Sequence, residues 1–147
     1  MNKLNESLTA WVLPLGQGNN IAIASHQSVA YVMDQGAFRI PGANPLFSYL
    51  TYWREQAMAL CSFKLATGHQ PRQSVTVEHM SVAAFRLADK VQLVAFDLES
   101  PPKQVRIEVK DTAKCFEHLM DLWGNAYMCG FESEGDPVAI VDLGRVR

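Results

Sequence analysis

Residues able to do chemistry are thinly scattered along this chain. His26, His69, His79 and His118 show no H-x-x-x-H spacing and no acidic pairs beside them, so no metal-ligand set is expected. His118 and the Glu78-His79 pair read as surface or internally satisfied positions. Cys61, Cys115 and Cys129 lie far apart in apolar sequence, the pattern of small buried hydrophobes in a reducing compartment. A catalytic thiol needs a histidine and an electropositive setting, and His118, three residues after Cys115, is a spacing common by chance on a helix. Ser25-His26 and Ser28 have no supporting acid nearby. Gly16-Gln17-Gly18 lacks the later Gly-Lys and the helix of a phosphate loop, and reads as a hairpin turn. Asp136 and Asp142 close the final hairpin with no nucleophile partner in view. The expectation is a protein with no catalytic residues, no metal and no cofactor, hence not an enzyme.

The elements around these residues point to surfaces rather than a cleft. Trp11 to Gly16, a polar turn and Ile21 to Ala24 form one hairpin pattern near the N-terminus. Tyr127 to Phe131, an acidic turn and Val138 to Leu143 form another near the C-terminus. Short strand-like runs fill most of the interval: Val29 to Met33, Met58 to Leu65, Val75 to Val77, Val82 to Leu87, Val91 to Phe96 and Val105 to Val109. Such spacing is the signature of a β-barrel or sandwich. Two segments read as helical. Asn44 and Pro45 can open a turn over 45–53, with Leu46, Tyr49, Leu50 and Trp53 at helical spacing. Lys114 to Trp123 reads as a helix capped by Asp111 or Thr112, with Phe116, Leu119, Met120 and Trp123 on one face and Gly124 as its stop. The break at 66–74 predicts a boundary between two subdomains of a single domain.

Composition limits the partners. The 147 residues suffice for one domain with a real core. With 48% apolar and 19% charged residues, the chain has core material to spare, which suggests apolar surface kept for a partner. A net charge of −2, a pI near 6.1 and singly scattered basic residues give no reason to expect nucleic acid. No run of about 18 apolar residues predicts membrane insertion, and the polar start Met1 to Leu8 lacks a secretory apolar stretch. A cytoplasmic location is the expectation.

In that order and spacing, the chain resembles the CheW family of chemotaxis coupling proteins over nearly its full length. The resemblance is carried by Trp11 to Gly16 with Ile21 to Met33, by Arg39-Ile40-Pro41, and by Leu46 to Arg54 leading to Ala57-Met58-Ala59-Leu60-Cys61-Ser62-Phe63. Met80 to Phe96 with Asp97, Tyr127-Met128-Cys129-Gly130 and Val138 to Leu143 carry it through the second half. It implies a mainly β fold of two SH3-like five-stranded barrels. It also implies a non-enzymatic adaptor that bridges the cytoplasmic helical tip of a chemoreceptor to the regulatory domain of a CheA-type histidine kinase. Four positions depart from the family pattern: Tyr49 stands for Gly, Glu55 for Gly, Ala59 for Pro and Ser62 for Asp. Glu55 matters most, because Gly tolerates turn angles that Glu does not. These departures suggest a specialised member, for instance of a pilus or twitching-motility pathway.

Arg54 matches the family's Arg and, with Phe47, Tyr49, Tyr52 and Trp53, gives the composition of an interface hot spot. These five residues are the expected partner-binding set, with a groove between the barrels as the seat of a receptor helix. The alternatives are a small-molecule-binding β-barrel, which predicts an apolar pocket with a few polar groups, and an enzyme of unrecognised type.

Overall fold

The computed structural model describes residues 7–41, 44–67, 72–112 and 114–146; His69 and part of the 66–74 break lie outside them. Among the described residues, ten strands and two short helices follow in chain order: β1 (Ser7–Pro14), β2 (Asn20–Ala24), β3 (Ser28–Arg39), β4 (Tyr49–Trp53), β5 (Gln56–Cys61), α1 (Phe63–Ala66), β6 (Ser74–Leu87), β7 (Lys90–Leu98), β8 (Lys103–Glu108), α2 (Glu117–Trp123), β9 (Tyr127–Ser133) and β10 (Asp136–Val141). They build two five-stranded units. Strands β3-β4-β5-β7-β6 close into a barrel, and β8-β1-β2-β10-β9 form a second sheet. Ile107 on one edge strand of that sheet and Phe131 on the other belong to one apolar cluster with Ala10, Val12, Ala22 and Val138, so the sheet is curled around its own small core.

Alternation explains both interiors. In the barrel, Tyr49, Met58, Leu60, Met80, Val82 and Ala95 point inward and fill the space. The opposite faces of β6 and β7 carry Ala83, Val94 and Phe96, which pack with Leu13, Ile21 and Ile23 of the sheet in a shared core. α1 and α2 seal that seam through Phe63 and Trp123, whose rings meet edge to face at 6.1 Å.

Several sequence expectations need correction. The helical turn over 45–53 shrinks to a 3-10 turn at Pro45–Phe47, opened by Asn44, whose side chain accepts the Leu46 amide. Tyr49–Trp53 is a strand because Tyr49 and Thr51 are needed inside the barrel, and period two overrides the helical coincidence. The run Met58 to Leu65 ends as a strand at Cys61, since Ser62 caps α1 by accepting the Leu65 amide at 3.1 Å. Val75 to Val77 and Val82 to Leu87 are parts of one strand, β6, whose polar centre pairs with β3 (His79 opposite Met33). The second helix begins at Glu117 rather than Lys114, because Lys114 is taken up in a bridge to Gly130; Gly124, at φ 53°, stops it as expected.

The boundary near 66–74 falls inside the barrel. The chain instead crosses between units at the 3-10 turn Ser25–Gln27 and again between Leu98 and Lys103. The barrel is thus a contiguous insertion in a sheet assembled from both ends of the chain.

Candidate functional site

The β4–β5 hairpin carries most of the expected site. Trp53 pairs with Gln56, leaving Arg54 and Glu55 as a two-residue turn with φ of 49° and 64°. Both angles are left-handed, the geometry that matches the twist of a tight hairpin, at roughly 1–2 kcal/mol per non-glycine residue. The tight turn therefore forms with Glu55 at a position that favours glycine, by accepting strain. Arg54 turns back over the Trp53 ring, its guanidinium carbon 4.7 Å from the centroid, an exposed cation–π contact of about 0.5–1 kcal/mol.

The structure divides the five expected residues. Tyr49 is 2% exposed and donates its hydroxyl proton to the Arg72 carbonyl at 2.7 Å; it fills the barrel and offers nothing to a partner. Phe47 packs against the shared core and Trp53 against the barrel core, both half-buried. Tyr52 is 46% exposed on the outer face of β4 and meets Phe38 edge to face at 6.2 Å. Arg54 lies exposed at the rim of this face. Phe38 was missed by sequence reasoning, although it is the outward residue in the alternation Ala37-Phe38-Arg39. Its cross-strand partner Leu50 and the exposed Ala57 and Ala59 extend the patch. The outer face of β3–β4–β5 is thus an apolar surface, with the small residues Ala57 and Ala59 on β5.

A second feature lies between the units. Trp11, Pro101 and Pro102 of the sheet side face Val29 and Tyr31 of β3 across a groove of about 430 Å³. Val29 is 41% and Tyr31 40% exposed. The edge of β3 away from β6 is paired with β4 only at Ala37–Arg39, so its first half borders the groove. The Tyr31 hydroxyl is held by His79 Nδ1 on β6, which fixes the ring at the groove wall.

A separate cleft of about 520 Å³ is lined by Gln17, Lys64, Thr76, Glu78, Asp97 and Glu99 among others. Burial pushes the Asp97 carboxyl above its ordinary range, partly countered by a hydrogen bond donated by Ser62 at 2.7 Å and by Lys64 and His79. Burial, with Asp97 adding, pushes the Cys61 thiol up to about 12, which leaves it inert. Asp97 is tied to α1 through Ser62, whose hydroxyl is buried and already occupied as the cap of that helix. Among the described residues no group of three or more His, Cys, Asp or Glu side chains is placed to hold a metal ion. No helix among them is long and apolar enough to cross a membrane.

Two five-stranded β units, one of them a closed barrel, make this a CheW-like fold. The chain is similar to the scaffolding protein TtCheW of Thermoanaerobacter tengcongensis, with a TM-score of 0.63 over 94% of this chain and 86% of that one. Identity is 10%, so what the two share is the fold. No family model matches the sequence, and no curated protein matches it.

Proposed function

We propose that this protein is a non-enzymatic cytoplasmic adaptor that couples chemoreceptors to a CheA-type histidine kinase in a chemotaxis-like pathway. The observation that carries the reading is a fold shared with a scaffolding protein, on which this chain displays Phe38 and Tyr52 to solvent from its outer barrel face. In this reading the kinase regulatory domain docks on the β3–β4–β5 face, with Tyr52 and Phe38 as anchors and Arg54 and Trp53 at the rim. The receptor's helical tip lies in the groove of Trp11, Tyr31, Pro101 and Pro102, where a helix lays an apolar face against aromatic and proline rings. Tyr49 and Phe47 support the hairpin from within.

The test is a pull-down or calorimetric titration with the cognate kinase regulatory domain. Binding tighter than about 100 μM is expected, since an interface of standard size reaches that readily; no binding at that concentration would overturn the kinase half of the proposal. The small-molecule reading loses ground because the barrel interior is filled by Tyr49, Met58, Leu60 and Met80.

A further inference from the structure

Cys115 and Cys129 are distant in sequence but brought together by the fold. The Lys114 amide donates to the Gly130 carbonyl at 3.3 Å, and the two residues form an antiparallel bridge. The bridge is isolated, and carrying its register one step further sets Cys115 opposite Cys129. In an antiparallel ladder the rung next to a hydrogen-bonded pair is the close one, with Cα atoms about 4.5 Å apart. Disulfides span Cα separations of roughly 4.4–6.8 Å. Side-chain directions agree. Lys114 reaches Glu132 at 3.3 Å, and the Phe116 ring lies against Gly130, so residues 114, 116, 130 and 132 share one face. Cys115 and Cys129 then project from the other.

The Tyr127 hydroxyl clamps this register. It donates to the Lys114 carbonyl at 3.1 Å and accepts the Phe116 amide at 3.4 Å, holding 114–116 along β9. Burial pushes the Tyr127 phenol up, the Phe116 amide pulls it down, and the thiols of Cys115 and Cys129 both push it up. Cys115 is exposed, Cys129 half-buried, and both are free thiols. The third cysteine, Cys61, is fully buried on a different strand.

We propose that Cys115 and Cys129 form an oxidisable dithiol site whose substrate is a peroxide and whose product is an intrachain disulfide. The exposed Cys115 thiolate attacks the O–O bond, giving a sulfenic acid and releasing one oxygen as water. The Cys129 sulfur then attacks the Cys115 sulfur, forming the S–S bond and displacing the second oxygen as water. Two thiols lose two electrons, and the peroxide gains them. Burial pushes the Cys129 thiol up, with a Thr112 hydrogen bond opposing, which suits it to resolve rather than initiate. The disulfide closes a loop that contains α2, so oxidation fastens the helix that seals the shared core.

The test treats the full-length reduced protein with a small excess of hydrogen peroxide, then digests it with a protease that cuts after glutamate. Cleavage at Glu117 separates the two cysteines, so a crosslinked peptide reports their bond directly. The expected result is that crosslink, loss of two hydrogens from the intact mass, an unmodified Cys61, and a Tm raised by roughly 5 °C that dithiothreitol reverses. C115S and C129S should each abolish the crosslink. Phenylarsine oxide, which bridges two adjacent thiols with loss of water, should bind the reduced protein at one equivalent and neither variant. Sulfinic acid accumulating at Cys115 alone, a dimer linked through Cys115, or equal arsenical binding by C115S would overturn the proposal.

Discussion

The Ser62 hydroxyl donates to Asp97 Oδ2 at 2.7 Å while its oxygen accepts the Leu65 amide at 3.1 Å, so one side chain joins the cap of α1 to the end of β7. S62A removes both links and should cost about 1–2 kcal/mol in denaturant unfolding. Asp97 sets a pH dependence of its own. Its carboxyl holds a proton more readily in the folded protein than in the unfolded chain, where the ordinary value is 3.8. The native state therefore binds more protons in that window, and this group's contribution to stability falls as pH rises from 3.8 through the raised value. Asn at 97 still accepts from Ser62 but does not ionise. Stability of D97N measured against pH should lack the decline that the native chain shows there.

The Arg54–Glu55 turn holds strain that glycine would release. E55G should stabilise the protein by about 1 kcal/mol in urea titration, since glycine adopts φ 64° without a Cβ clash. A loss of stability would show that Glu55 makes a compensating contact.

Y49A and Y52A should behave oppositely despite sitting three residues apart. Truncating the buried Tyr49 should cost about 3 kcal/mol of stability. Truncating Tyr52, or Phe38 beside it, should leave thermal unfolding nearly unchanged and weaken kinase-domain binding at least tenfold. Calorimetric unfolding paired with a binding titration separates the two.

A Cβ at position 130 would lie 2.5 Å from the Tyr127 hydroxyl, 2.7 Å from the Phe116 ring and 2.8 Å from the Lys114 carbonyl. G130A should therefore destabilise by about 1–3 kcal/mol. It should also raise hydrogen exchange at the Lys114 amide, whose partner is the Gly130 carbonyl.

Much of the architecture was legible because burial of one strand face writes itself into alternate residues. The first and last hairpins, Val91 to Phe96 and the stop at Gly124 could all be read this way. What escaped is set by distant partners. Tyr49–Trp53 satisfies helical and strand periods at once, and only Thr51 facing Met58 and Ala37 decides between them. The helix start moved because Lys114 bonds to Gly130, sixteen residues on. In the candidate site Tyr52 and Arg54 could be picked out by residue type, whereas the hairpin that carries them was read as helical, and Phe38 was missed, since its contact with Tyr52 exists only once β3 and β4 pair. The 66–74 break looked like a boundary because polar loops resemble linkers, but sequence proximity says nothing of which unit a loop serves.

Parallel pairing of β2 with β10 sets Ile21 beside Ala139, which fixes an order of events at the ribosome. All five strands of the barrel, Ser28 to Leu98, emerge before β8, α2, β9 and β10. The sheet must wait for the final strand, and long-range closure of this kind is slow. A nascent chain lacking β10 would carry that barrel beside a β2 whose second edge is unpaired, an open strand edge that β10 later covers.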